Sequence, residues 1–399
     1  MIPMRLKDNV TYLVGDETIL PKPLEPYEES LCEFLYELSS TLFASKEAAA
    51  YPDIMAFAFW CRKANIAKLK ADFDDRRIRL GLGLVFHITP SNVPVNFAFS
   101  FAFGLLSGNA NIVRVPSKPF PQIDIICDTI DRLFSYDRFS EIKATTAFVR
   151  YEQNDEITSS FCANCNARII WGGDVTIRNV RNIPMPVRGV EIVFSDRYSL
   201  CVIDSPSVIK LDEAELNGLA ERFYNDTYVM DQNACSSPHL IVWQGEEKEL
   251  AKERFWMAVS RAVTEKYQLD ALNAVDKYTL LCHNAIDIDD ITSFKEHGNH
   301  LYRITIDSLP DNMDELRGKC GYFYEYDTDV ISDIAHVINI RYQTMTYFGV
   351  DKTYLLDFVV KNRLTGIDRI VPVGNALDIN VIWDGYDIVK SLSRIIDVK

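Results

Sequence analysis

Between Gly81 and Trp171 short apolar runs of strand length alternate with longer segments of helical spacing. Residues 82–89 are almost wholly apolar and predict a buried strand. Pro90-Ser-Asn-Val-Pro94 reads as a turn, and 95–106 as an apolar helix closed by Gly108. Residues 111–115 form the next strand and 119–134 the next helix. The pattern repeats with strands at 146–151 and 167–171 around a helix at 155–165. Gly172-Gly173 then opens another helix, with Asp174 placed to cap it. Strand, helix, strand at this spacing means βαβ units and a parallel sheet, so the fold class is α/β. Two more strands, 190–194 and 200–203, close this half near Ser205.

Upstream, residues 1–75 read as a leader followed by helices. Pro21, Pro23 and Pro26 delay the first helix to 28–44, and a second follows through 47–63. From Val208 a second α/β region begins. A helix at 212–228 feeds a polar loop, and Pro238 opens the β-rich run 239–243. A helix at 246–267 and strands near 278–282, 302–306 and 321–326 are expected after it, with 283–319 loop-rich and acidic.

Composition narrows the setting. The 399 residues are 48% hydrophobic and 25% charged, enough for a sizeable core and two or three domains. A net charge of −15 argues against nucleic acid or an anionic membrane as partner. The N-terminus lacks the apolar region of a signal peptide, and no apolar run reaches membrane-spanning length. Nine cysteines without a regular framework fit a reducing cytoplasm.

One of those cysteines, Cys235, sits where a helix meets a strand, flanked by Asn233, Ala234, Ser236 and Ser237. Small neighbours leave the thiol open to attack a carbonyl, with backbone N–H groups at hand for the developing charge. The plainer alternative is a small buried residue. His239 is a poor base for it: four extended residues span about 13 Å. Other constellations are weaker. Cys162-Ala-Asn-Cys165 lacks the second pair of a zinc site and falls on a helix. His297 and His300, and Asp287 with Asp289 and Asp290, read as solvated loops. Arg168, Arg178, Arg181, Arg188 and Arg197 cluster around and after the Gly-Gly turn, where they suit either a phosphate-bearing ligand or pairing with the chain's excess carboxylates.

Taken together, Gly81 to Pro94, Gly104-Leu-Leu-Ser-Gly-Asn109, Ile112 to Lys118 and Asp231 to His239 resemble the acyl-CoA reductases of the bacterial bioluminescence type, the LuxC family. Arg369-Ile-Val-Pro-Val-Gly374, Leu377-Asp378 and Trp383-Asp-Gly385 belong to the same pattern. That family is a branch of the aldehyde dehydrogenase superfamily. The resemblance implies a Rossmann-like cofactor domain, an α/β catalytic domain and a small oligomerisation element. The expected boundaries are 1–206 for the N-terminal helices and dinucleotide-binding domain and 207–366 for the thiol domain. Residues 367–399 would return to the cofactor domain or an oligomer interface.

Residue by residue, the resemblance makes Cys235 the nucleophile and Asn92 a side-chain donor to the oxyanion. Thr89 and Pro90, then Arg114, Pro116, Ser117 and Lys118, would face the cofactor, and Gly172 and Gly173 form its glycine turn. The implied activity is NADPH-dependent reduction of an acyl thioester, on CoA or a carrier protein, to an aldehyde. An acyl-transferring protein partner and a homo-oligomer fit the same pattern. An acyl-phosphate reductase and a non-catalytic subunit of an acyl-reducing complex are the rival readings.

Two departures stand out. The general-base glutamate of oxidising members falls on Val193 or Phe194, with Glu191 close by. The glutamate that usually binds the nicotinamide ribose is replaced in Thr346-Tyr-Phe-Gly349.

Overall fold

Buried strands need both faces covered, and the apolar runs that alternate with helices meet that need in two separate sheets. The computed structural model describes residues 9–73 and 76–399. The leader's Met1–Asp8, which carries the signal-peptide expectation, and Asp74 and Asp75 lie outside the described residues. Residues up to Ser195, with Tyr386–Lys399, form one unit and Asp196–Gly385 the other. No helix among the described residues is long and apolar enough to cross a membrane.

In the first unit β1 (Thr11–Val14) is the first element among the described residues, inside what the sequence suggested was a leader. The strands β2 (Arg79–Gly81), β3 (Leu84–Ile88), β4 (Ala110–Arg114), β5 (Thr146–Arg150), β6 (Ala167–Trp171) and β7 (Val190–Phe194) follow. Six of them make a sheet in the order β1-β5-β4-β3-β6-β7. Only β1 is antiparallel, covering the outer edge of β5. All five residues of β3 are buried, as expected for a parallel strand packed on both faces. The helices are α1 (Glu29–Ala44), α2 (Pro52–Trp60), α3 (Lys63–Asp72), α4 (Asn96–Leu106), α5 (Pro121–Leu133), α6 (Ser140–Ala144), α7 (Asp155–Asn164) and α8 (Asp174–Arg181). Gly173 occupies the N-cap position of α8, so Asp174 is the first helical residue instead of the cap.

A buried polar chain ties α4 to the sheet. His87 Nε2 lies 3.0 Å from Asn111 Oδ1 and Nδ1 lies 2.8 Å from Ser100 Oγ. Ser100 Oγ also accepts from Trp171 Nε1 at 2.9 Å, so its own proton is free for His87 Nδ1. Burial holds His87 down to about 4, hence neutral. Gly104 makes room for this chain, because a Cβ there would stand 2.0 Å from Asn111 Oδ1.

The second unit contains β8 (Tyr198–Asp204), α9 (Ser205–Ile209), α10 (Glu213–Thr227), β9 (Leu240–Gln244), α11 (Lys248–Lys266) and α12 (Ala271–Asp287). After them come β10 (Ile291–His297), β11 (Leu301–Ile306), β12 (Tyr322–Thr328), β13 (Tyr342–Phe348), α13 (Lys352–Lys361) and β14 (Arg369–Pro372). The sheet order is β10-β11-β12-β9-β8-β13-β14. Alternation splits its side chains between two cores. Tyr198, Leu200 and Leu240 face one, and Cys201, Ile203 and Trp243 face the other, against Phe223 of α10 and Phe255 of α11. Asp212 and Glu215 form a reciprocal capping box at the start of α10.

Several boundaries differ from the sequence expectation. Residues 200–203 belong to the second sheet, where β8 pairs in parallel with both β9 and β13. The C-terminal return begins at Tyr386, because β14 pairs with β13 and stays in the second unit. The returning tail pairs Ser393–Ile395 with β2 and is pinned by Arg79, which donates to Ser393 Oγ at 2.9 Å. Residues 278–282 lie inside α12 and are no strand. That helix buries Lys277, which donates to the Cys320 carbonyl, and Asn284, which donates to the Tyr322 and Tyr324 hydroxyls. Two polar residues two turns apart on the inward face hide the helical period from any apolar count. The region expected to be loop-rich also holds β10, with His297 at its end.

Candidate active site

The loop carrying Cys235 is built by residues on both sides of it. After α10 the chain turns through Asp231 and Gln232, both left-handed at φ 51° and 61°. Gln232 is fully buried and uses its whole amide. Its Nε2 donates to the Pro238 and Tyr322 carbonyls, and its Oε1 accepts from the Gly321 and Tyr322 amides. A buried amide with every site satisfied is a rigid clamp. Ser237 Oγ donates to the Asp226 carbonyl at 2.6 Å, and Ser199 Oγ to the Cys235 carbonyl at 2.6 Å.

Cys235 itself is half-buried. Burial pushes it above the ordinary thiol range, and the Asp196 and Asp384 carboxylates push the same way. The Arg197 amide and the Arg317 charge oppose them. His239 has a structural place. It stacks on Tyr198 at 5.3 Å and is held down to about 3 by burial and by the charges of Arg317 and Lys319.

The C-terminal motifs dock beside this loop. Asp226, at the end of α10, accepts from the Gly374 amide at 2.6 Å and the Ala376 amide at 2.8 Å. Burial raises its carboxyl to about 7, against the pull of those two amides. Arg369 donates to the carbonyls of Asn375, Ala376 and Asp378, with its guanidinium 4.1 Å over the Trp383 ring. Arg197 donates to Asp384 Oδ1 at 2.9 Å, to the Asp368 carboxylate and to the Ile340 carbonyl. Thr346 is spent inside the sheet, buried on β13 with its hydroxyl toward the Leu200 carbonyl.

The other singled-out residues gather in the first unit, at the carboxyl ends of neighbouring parallel strands. Thr89 follows β3 and donates to the Arg114 carbonyl at 2.7 Å, joining the ends of β3 and β4. Pro90 is half-buried and Asn92 exposed on the turn beyond it. The Arg114 guanidinium lies 4.4 Å over the Tyr151 ring. Pro116 is buried, Ser117 half-buried, and Lys118 exposed 5.0 Å from the Phe120 ring. Gly172 and Gly173 end β6, where the Gly172 amide donates to the Phe194 carbonyl at 3.1 Å. The chain leaves β3 toward β4 on one side while β6 lies on the other, which makes this edge a topological switch point.

The arginines do not form one basic cluster. Arg168 is buried against Glu191 and donates to the Val180 and Ile183 carbonyls, and Arg181 takes the second Glu191 oxygen. Arg178 and Arg188 are exposed, while Arg197 belongs to the second unit. Glu191 is thereby locked in ion pairs on both oxygens. Cys162 and Cys165 are buried, and the described residues contain no group of His, Cys, Asp and Glu able to hold a metal ion. Ser199 and Gln232 carried no local signal: each acts on a partner distant in sequence.

Comparison with known proteins gives the family and the fold. The profile of the family described as acyl-CoA reductase (LuxC) matches residues 68–279, more than half of the chain. The long-chain acyl-protein thioester reductase of Vibrio harveyi is 26% identical over 171 residues, 42% of this chain. The chain spans only 33% of that relative's length. A benzaldehyde dehydrogenase from Corynebacterium glutamicum superposes with a TM-score of 0.62 at 11% identity, over 92% of this chain and 85% of that one. Aldehyde dehydrogenase 21 from Physcomitrella patens gives 0.65 at 10% identity with the same coverage. The fold is that of the aldehyde dehydrogenases.

Proposed function

Because the chain belongs to the LuxC family of acyl-CoA reductases, we propose that it reduces an acyl thioester to an aldehyde with NADPH, through an acyl group carried on Cys235. The observation that carries this reading is the Cys235 loop. A half-buried cysteine sits in a loop clamped by Gln232, with its backbone carbonyl held by Ser199. Attack by Sγ forms a bond to the acyl carbon and expels the donor thiol, which takes a proton. The Asn92 amide and the Cys235 backbone N–H are assigned to the oxyanion. Delivery of a hydride to the acyl carbon, with the C–S bond breaking and Sγ taking a proton, would release aldehyde and restore the thiol.

The first unit suits a nicotinamide dinucleotide. Its switch-point edge brings together the ends of β3, β4 and β6, with two cations and a glycine turn. When bound, the cofactor supplies the hydride. Thr89, Pro90, Pro116 and Ser117 would line its ribose, Gly172 and Gly173 would admit its phosphates, and Arg114 and Lys118 would hold the extra 2′-phosphate of NADPH. The donor is CoA or a carrier protein; the Vibrio harveyi relative's name favours a protein-bound acyl group.

The test is NADPH oxidation followed at its absorbance, with acyl-CoA, acyl-carrier thioester and acyl phosphate as separate substrates. Oxidation with a thioester, abolished in Cys235→Ala, is expected. Activity on acyl phosphate alone would replace this reading with the acyl-phosphate one, and no activity on any would favour a non-catalytic subunit.

A further inference from the structure

Four buried polar side chains of the first unit form one directed chain of hydrogen bonds. Trp171 Nε1 can only donate, and it donates to Ser100 Oγ at 2.9 Å. The Ser100 hydroxyl therefore turns its proton to His87 Nδ1 at 2.8 Å, which leaves the His87 Nε2–H for Asn111 Oδ1 at 3.0 Å. Asn111 Nδ2 continues the chain to the Asn109 carbonyl at 2.7 Å. His87, Ser100 and Asn111 are 0% exposed and Trp171 7%, with its ring stacked on Phe194 at 3.8 Å. The chain needs Gly104 inside α4, where a Cβ would stand 2.8 Å from His87 Nε2, and a mid-helix glycine weakens a helix. Apolar side chains of the same shape would hold these elements together about as well. What the hydrogen bonds add is direction, since each fixes the orientation of the group it joins.

The groups so fixed border the switch-point edge. His87 stands two residues before Thr89, and Ser100 lies in α4, so the bond between them closes the segment carrying Thr89, Pro90 and Asn92. Trp171 is the last residue of β6 and precedes Gly172 and Gly173. Asn111 lies on β4, which ends at Arg114, and β6 and β4 both flank β3 in the sheet. We propose that His87 and Ser100 are positioning residues for the nicotinamide dinucleotide: with Trp171 they hold the Thr89–Pro90 turn and the Gly172–Gly173 turn in one fixed relation, ready for the cofactor. The proposal rests on the reading of this edge as the NADPH site.

Three substitutions break the chain at different points. Trp171→Phe keeps a ring on Phe194 and removes only the donor, while His87→Phe and Ser100→Ala cut the middle. Each should weaken NADPH binding, read by its fluorescence, about 10-fold, the scale on which a slightly misplaced site is felt. Because they break one chain, His87→Phe combined with Trp171→Phe should bind little worse than the weaker single variant, instead of losing the product of the two. Trp171→Phe should raise KM for NADPH and leave kcat near the parental value. Ser100→Ala, which also frees the Asn92 turn, should lower kcat as well. In cofactor-free protein, amide exchange followed by mass spectrometry should quicken at 89–95 and 172–176. Ile126→Ala, a truncation in the core face of α5, should lower the unfolding midpoint without moving NADPH affinity.

Folded variants that bind NADPH as the parent does overturn the proposal, and so does an equal loss of affinity in Ile126→Ala. Should His87→Phe or Ser100→Ala fail to fold, Trp171→Phe, which leaves no buried donor without an acceptor, carries the test. A parent enzyme that binds no NADPH would remove the proposed cofactor site itself. A parent that binds it, with variants that bind equally, removes only the role of His87 and Ser100.

Discussion

The Ser199 hydroxyl donates to the Cys235 carbonyl at 2.6 Å and accepts from the Thr344 amide at 3.2 Å. The backbone of the thiol residue is therefore tied to β8, and β8 to β13, through one buried side chain. Ser199→Ala removes the donor and leaves the Cys235 carbonyl and the Thr344 amide without it. A loss of about 1–3 kcal/mol in denaturant unfolding is expected, with turnover falling and NADPH affinity unchanged. Equal stability of variant and parent would mean that the loop is held without this bond.

Asp226 sets a pH dependence. Its folded carboxyl titrates at about 7, well above the ordinary carboxylate value, chiefly through burial. The folded state thus binds this proton more tightly than the unfolded chain. The associated stability is full below the unfolded carboxylate value and is lost as pH rises through about 7. Asp226→Asn should flatten that part of the profile. It should also weaken the protein at every pH, since an Asn NH₂ cannot accept from either the Gly374 or the Ala376 amide. Urea unfolding of both proteins between pH 5 and pH 8 gives the difference; parallel profiles would assign the slope to other groups.

On the proposed reading, Arg114 and Lys118 set the cofactor choice. NADPH should give higher kcat/KM than NADH, and Arg114→Ala or Lys118→Ala should narrow the gap through KM for NADPH. Arg114→Ala should have the larger effect, because its guanidinium is already oriented over Tyr151. Equal efficiency with both cofactors in the parent enzyme would count against the assignment.

At the oxyanion, Asn92→Ala should lower turnover by roughly 10²–10³, the usual cost of one preorganised donor. NADPH binding measured by fluorescence should stay close to the parent value. A defect confined to cofactor affinity would give Asn92 a different role.

The acyl-enzyme should be long-lived. Glu191, the carboxylate nearest the missing general base in sequence, is held by Arg168 and Arg181. Enzyme incubated with acyl-CoA but no NADPH should keep a hydroxylamine-labile acyl group, absent in Cys235→Ala. With aldehyde and NADP⁺ it should form acyl-CoA when CoA is supplied and little free acid otherwise. Glu191→Gln should cost about 3–5 kcal/mol, because it strands the buried Arg168 charge, and leave the free-acid yield low. Rapid hydrolysis that Glu191→Gln abolished would make Glu191 the base after all.

Much of this protein is legible in its sequence because the signals involved are local. The strands β3, β4 and β6, the helix α4 with Gly108 behind it, and the loop around Cys235 depend on runs of neighbouring residues and on turn chemistry within them. Tertiary structure decided the rest. The run at 278–282 is helical because its inward residues, Lys277 and Asn284, find partners on Cys320, Tyr322 and Tyr324. Arg168 and Arg197, similar in sequence setting, part company because one meets Glu191 and the other Asp368 and Asp384. The anchoring of the Cys235 backbone by Ser199 was likewise invisible along the chain. A polar residue's role is set by the group it reaches, and that group is chosen only when distant strands come into register.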